Sequence, residues 1–183
     1  MDPQAIVIVQ GLSAPPARAY AEGVAVALAR PGTAAGLDPS AKTGAHLGHV
    51  MAVKEARATG AHEALLVDAA GFVTEGSSSN LFTVRDGVLV TPPLAAGILE
   101  GVTRGVVLAL ARAEGARLEE RALRPEDLDA ADEVFITSTM REILPVVRVG
   151  ARKVGAGRPG PVTERLHRAF RRLAGGPPGL GGA

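Results

Sequence analysis

The chain has 183 residues, 46% hydrophobic and 21% charged, with a formal net charge of +1. That composition suits one globular domain, or one domain plus part of another, and argues against wholesale disorder. Near-neutral charge with only four Phe and one Tyr gives neither the basic footprint nor the stacking surface of a nucleic-acid binder, and the absence of cysteine excludes disulfides, thiol catalysis and zinc–thiolate sites.

No apolar run approaches transmembrane length and Met1–Gln4 does not open a secretory signal, so no membrane partner and a cytoplasmic location are expected. Of the 20 basic residues only Lys42, Lys54 and Lys153 are lysines. Chemistry that needs an amine nucleophile therefore has three candidates.

Taken in chain order, Ala5–Val9 is a short β-branched run and predicts a buried strand. A strand of this type so near the first residue suggests a chain that begins inside a larger architecture. Pro15-Pro16 opens a short helix through Glu22, and Val24–Leu28 is a second strand candidate. Arg30–Ala41 is loop by its Pro and Gly content. From Ala45 to Ala58 the apolar residues Leu47, Val50, Met51 and Val53 recur at helical spacing, with Gly60 as the stop.

Short strands follow at Ala64–Val67, Phe72–Val73, Leu81–Val84 and Val88–Val90, and Arg85-Asp86-Gly87 is a hairpin signal. Thr91 to Gly101 is loop, Thr103–Glu114 helix, Arg117–Arg121 strand, Pro125–Leu128 a helical turn and Glu133–Thr137 a buried strand. Val146–Val154 predicts a hairpin around Gly150, with Lys153 in its turn. Pro161–Leu173 predicts an amphipathic helix, and Gly175–Ala183 a disordered Gly/Pro tail. There is no internal repeat.

Three patches carry chemistry. Thr74–Asn80 (TEGSSSN) joins two predicted strands and sets a carboxylate beside small residues that let the backbone approach a ligand. In isolation it reads first as a polar hairpin connection. Gly97–Arg104 (GILEGVTR) leads into a helix whose free N–H groups could hold a phosphate, with Thr103 as N-cap or first-turn residue; a capped surface helix is the plainer reading.

Thr137-Ser138-Thr139 sits just past a buried strand, where hydroxyls serve equally as ligand contacts or as loop residues. Among the lysines, Lys42 is best placed to project into a cleft, since Lys54 falls in mid-helix. His46 and His49 share a helix but have no third metal ligand nearby, and His62 and His167 read as surface residues.

Together and in order, Glu75–Phe82 (EGSSSNLF), Leu89–Pro93 (LVTPP) and Leu99–Arg104 (LEGVTR) resemble the signature of class IV, or fold-type IV, pyridoxal-phosphate-dependent aminotransferases. That family includes branched-chain and D-amino acid aminotransferases and aminodeoxychorismate lyase. Lys42-Thr43-Gly44 resembles the segment of its Schiff-base lysine, Asp132–Thr139 with Glu142–Val146 its late phosphate-binding strand and loop, and Gly160–Thr163 the start of its C-terminal helix. Ala45 and His46 depart from the polar or aromatic residues often found after the lysine.

The resemblance implies an α+β fold, a curved mixed sheet or pseudo-barrel flanked by helices, forming the large cofactor domain over residues 1–174 without the family's small N-terminal domain. It implies pyridoxal 5′-phosphate as cofactor and a homodimer. It further implies Lys42 as the attachment point and proton carrier, and Glu75 facing the pyridine nitrogen. Val102, Thr103, Ser138 and Thr139 would hold the phosphate, with Ser78 and Ser79 lining the pocket.

Three functions stay open. One is transamination of a D-amino acid or branched-chain type with a 2-oxo acid; the TEGSSSN stretch lies closer to the D-amino acid enzymes, because branched-chain ones often carry an acidic residue before the Asn. A second is a lyase that releases pyruvate and 4-aminobenzoate, toward which Met140-Arg141 leans. The third is an inactive fragment.

Overall fold

Aliphatic runs of four to eight residues, broken by Gly and Pro, cannot bury themselves singly and pair into one sheet. The computed structural model describes Val9, Gly11, residues 14–29 and residues 47–175. Among the described residues the order is α1 (Ala17–Glu22), β1 (Val24–Ala29), α2 (Leu47–Ala58), β2 (Glu63–Val67), β3 (Val73–Gly76), β4 (Asn80–Arg85), β5 (Val88–Thr91), a 3₁₀ turn at Leu94–Ala96, α3 (Val102–Ala113), β6 (Arg117–Glu120), α4 (Pro125–Asp129), β7 (Glu133–Ser138), β8 (Glu142–Val149), β9 (Arg152–Lys153) and α5 (Pro161–Leu173).

The strands form a mixed sheet in the order β3-β2-β1-β8-β7-β4-β5-β6, with β9 on β8. Pairings β1–β2, β1–β8 and β5–β6 are parallel and the others antiparallel. A parallel neighbour needs a crossover, which α3 provides between β5 and β6. The β4–β5 hairpin turns through Asp86 and Gly87, both at positive φ (51° and 74°), the left-handed pair that matches strand twist.

The sheet curls almost onto itself. β3 and β6 stand at opposite ends of the strand order, yet Val73 in β3 bridges Leu123, three residues beyond β6, with the Val73 amide donating to Leu123 O at 2.8 Å. One apolar cluster therefore gathers Val26, Leu65, Val73, Leu81, Val90, Val134, Ile136 and Leu144 from nearly every strand.

Alternate residues point the other way, where Phe82, Val84, Phe135 and Ile143 pack beneath Val107 and Leu108 of α3 and Leu166 of α5. Phe82 and Phe135 are register partners on β4 and β7, their rings stacked with centroids 4.9 Å apart. The fold is α+β, a curled mixed sheet flanked by helices, as the resemblance implied.

Several expectations need correction. Of Ala5–Val9 only Val9 is described, and it is 90% exposed and outside any strand; Arg30–Ala41 and residues 176–183 lie outside the described residues. Phe72 is the residue before β3, not part of it, and Lys153 is in β9, not a turn. In α2 the buried face is Ala52 and Ala56 against β1 and β2, while Val50 and Met51 are exposed. Small side chains let that helix lie close to the sheet, and the bulkier ones face away from it.

His167 is no surface residue: its ring stacks on Tyr20 with centroids 5.0 Å apart, and Nε2 lies 2.8 Å from Glu142 Oε2. His62 is half-buried with Nε2 unpartnered among the described residues, and burial, reinforced by Arg141, holds its pKa below the ordinary value.

The cap of α5 comes from the sheet. Gly160 at its N-cap offers no side chain, so buried Glu133 of β7 accepts from Val162 N (2.9 Å), Thr163 N (2.8 Å) and Thr163 Oγ1 (2.7 Å). A Cβ at Gly160 would strike the Glu133 carboxylate. Replacing Glu133 with Ala orphans these buried donors and is expected to lower stability by about 2–3 kcal/mol, read as a lower urea midpoint with unchanged m-value.

Candidate functional site

Three connections converge at one end of the sheet: the β3–β4 turn, the loop into α3 and the turn after β7. With one side of α2 they enclose a cavity of ≈ 820 Å³. Glu75, Ser78, Ser79, Val102, Thr103, Ser138 and Thr139 all line it. Lys42 and His46 lie outside the described residues. Lys54 also lines the cavity, with His49, Val50, Val53 and Arg57 of the same helix. No group of three His, Asp or Glu side chains able to hold a metal occurs among the described residues.

Glu75 is held from behind. The Leu99 amide donates to its Oε2 at 3.1 Å and Asn80 Nδ2 stands at 3.4 Å. Asn80, itself buried, donates to Leu99 O at 2.8 Å, so one amide side chain joins the β3–β4 turn to the loop before α3. Gly101 is needed there because a Cβ would collide with Asn80 Oδ1. Burial pushes the Glu75 pKa up to about 7; the Leu99 hydrogen bond lowers it and the nearby Glu63 charge raises it.

Glu63 is the residue that sequence reasoning missed. Only 1% exposed, its Oε1 accepts from Ser77 Oγ (3.0 Å), Ser78 N (2.6 Å) and Ser78 Oγ (3.0 Å), and its Oε2 from Ser79 Oγ (3.1 Å) and Arg141 Nη1 (3.0 Å). The three serines thus give their hydroxyl protons to a carboxylate beneath them and can only accept from a ligand. The available signal was a lone charge opening the apolar strand Ala64–Val67.

The opposite wall suits an anion. α3 starts at Val102 with Gly101 at the N-cap and no side-chain cap, leaving first-turn N–H groups open to the cavity. Thr103 is a first-turn residue and not the cap. Val102 is 80% exposed. Thr137, also on the cavity wall and buried at 1%, has no partner for Oγ1 among the described residues. A carboxyl needing a cation, an uncapped helix start and an orphaned hydroxyl in one cavity fit a ligand with a basic ring and an anionic tail.

A family model described as amino-transferase class IV matches residues 1–149. The chain belongs to the class IV aminotransferases. It is 43% identical over 133 residues to a branched-chain-amino-acid aminotransferase of Pseudomonas aeruginosa, covering 73% of this chain and 43% of that protein. Its Escherichia coli K12 counterpart is 43% identical over 127 residues, covering 69% of this chain and 41% of its own length.

The crystal structure of the Escherichia coli branched-chain amino acid aminotransferase superposes with a TM-score of 0.82 at 38% identity, over 86% of this chain and 53% of that one. The branched-chain amino acid aminotransferase of Thermobaculum terrenum, solved in its PLP-bound holo form, gives 0.80 at 32% identity, over 87% and 53%. This class IV aminotransferase chain spans about half the length of the relatives it matches.

Part of the family signature is scaffold. Arg104, 3% exposed, donates through Nη2 to Pro92 O (2.9 Å) and Glu120 Oε2 (2.8 Å), and Thr91 Oγ1 donates to Leu81 O (2.7 Å). The Arg104 contacts tie the start of α3 to the end of β5 and to β6, and the Thr91 contact ties β5 to β4.

The raised Glu75 pKa has a signed consequence. Between about pH 4.5 and 7 the folded chain holds a proton that the unfolded chain has released, so stability falls as pH rises through that window. Glu75→Gln removes this dependence and in the ligand-free chain is expected to exceed the wild type at pH 8 by up to about 3 kcal/mol, measured by urea unfolding at pH 4 to 8.

Proposed function

We propose that the chain is the cofactor-binding half of a pyridoxal 5′-phosphate-dependent aminotransferase that moves an amino group between a branched-chain amino acid and a 2-oxo acid. The observation that carries this reading is the convergence of Glu75, the uncapped start of α3 and the Thr137–Thr139 hydroxyls on one cavity, in a family whose relatives bear the branched-chain name. When bound, the cofactor supplies an electron sink for charge developing at the substrate α-carbon.

The protein's part is to bind, orient and move protons. Glu75, its carboxyl poised near 7, would face the ring nitrogen and, ionised beside a cationic nitrogen, would hold the proton on that atom. Amides at Val102 and Thr103, with hydroxyls of Thr103, Ser138 and Thr139, hold the phosphate. Ser78 and Ser79 line the pocket beside the ring as acceptors. Val50, Val53 and Leu99 give the cavity apolar walls that exclude water. Lys42 is the covalent attachment point and moves the proton at the reacting carbon.

A homodimeric, cytoplasmic enzyme completes the reading. The branched-chain relatives favour it over the D-amino acid and lyase alternatives. Ser79 before Asn80 is the feature that speaks for the D-amino acid type, and Met140-Arg141 the one that speaks for the lyase.

The test is a visible spectrum of the chain with pyridoxal 5′-phosphate, then borohydride reduction and peptide mapping. A cofactor adduct on Lys42, absent in Lys42→Ala and kept in Lys54→Ala and Lys153→Ala, is the expected result. An adduct that persists in Lys42→Ala sinks the Lys42 assignment, and no uptake at all returns the chain to the fragment reading. With a bound cofactor, a branched-chain amino acid added alone converts it to the pyridoxamine form, whereas conversion only by D-amino acids, or pyruvate release from aminodeoxychorismate, selects the alternatives.

A further inference from the structure

Arg141, already one of the donors to Glu63, makes further contacts around the cavity. It ends the three-residue turn Thr139–Arg141 between β7 and β8, and its side chain is 19% exposed. Nη1 donates both to Glu63 Oε2 and to Ser78 Oγ, each at 3.0 Å. Its amide donates to Ser138 Oγ at 3.2 Å, and its carbonyl accepts from Tyr20 Oη at 3.2 Å. One residue thus ties the turn after β7 to the serine turn before β4, two walls of the cavity.

The turn is held in place. Glu142, the next residue, sits at φ 52°, a left-handed conformation that a non-glycine residue adopts at a cost of roughly 1–2 kcal/mol. Its carboxylate lies 2.8 Å from both His167 Nε2 and Arg171 Nε of α5. Those contacts fix the backbone that aims Arg141 at Glu63.

We propose that Arg141 is a positioning residue of the cofactor pocket: clamped between Glu63 and Ser78, it locks the Ser77–Ser79 turn and offsets the buried Glu63 charge beside Glu75. The inference rests on the cofactor reading above, because it assigns Arg141 the task of keeping Glu75 available as the negative group turned to the ring. The other charged or titratable groups on the cavity wall are His49, Lys54, Arg57 and Glu100. The Glu63 charge already raises the Glu75 pKa, and that gives the proposal a sign.

The experiment uses the full chain without cofactor, following the Glu75 carboxyl carbon by NMR titration and Ser78 amide exchange. Arg141→Gln leaves Glu63 unpaired, so the Glu75 midpoint should rise above 7 by on the order of one pH unit and Ser78 exchange should quicken by ~10-fold or more. Arg141→Lys, which keeps the charge, should bring the midpoint back toward the wild type.

Glu63→Gln must move Glu75 the opposite way, to a lower midpoint, and provides the test if Arg141→Gln does not fold. A simple loss of packing does not produce that reversal of sign. An unchanged Glu75 midpoint in Arg141→Gln, or in Glu63→Gln, overturns the proposal. Cofactor uptake is then titrated separately: if the wild-type chain binds no pyridoxal 5′-phosphate while these midpoints move as expected, the cofactor reading falls and the Arg141–Glu63 coupling to Glu75 stands.

Discussion

A single buried carboxylate organises the pocket end of this molecule. Glu63 opens β2 at 1% exposure, where an unpaired charge would cost several kcal/mol. Its compensation is a set of five donors drawn from Ser77, Ser78, Ser79 and Arg141. The β3–β4 turn meets that requirement by bringing three consecutive hydroxyls and an amide onto one carboxylate. Gly76 belongs to the same constraint: a Cβ there would collide with Ser79 Oγ.

From that anchor the rest of the site follows outward. The turn delivers Asn80 to the first position of β4, Asn80 fixes Leu99, and Leu99 returns an amide to Glu75. Arg104 ties the start of α3 to Pro92 and Glu120. Two kinds of residue therefore make up the family signature. Some face the cavity; others, such as Arg104, are buried braces whose replacement would shift the walls without touching a ligand, and Asn80 both braces and lines it.

Curling of the sheet is what allows these segments to meet. The bridge from Val73 to Leu123 brings together strands at opposite ends of the order, and the resulting core takes residues from seven strands. The same curvature leaves one open end, where the turns collect and where α2 turns Val50 and Val53 to the cavity in place of the core. Superposition on branched-chain aminotransferases over 86% of the chain and about half of theirs reflects this shared frame.

Much of this was legible in the chain itself. Strand and helix positions followed from aliphatic runs and from Gly and Pro punctuation, down to the Asp86-Gly87 hairpin and the Pro161–Leu173 helix, because those signals are local. The order of EGSSSNLF, LVTPP and LEGVTR pointed to the family and to the residues that meet at the cavity. What remained hidden depended on contacts between residues distant in sequence. Glu63 drew no reading beside the strand Ala64–Val67, His167 looked like a surface histidine, and Val50 and Met51 like a core stripe, because hydropathy does not say which face a neighbour covers. The partners of Glu63 lie 14 to 78 residues away, and only closure of the sheet decided that they would share one carboxylate.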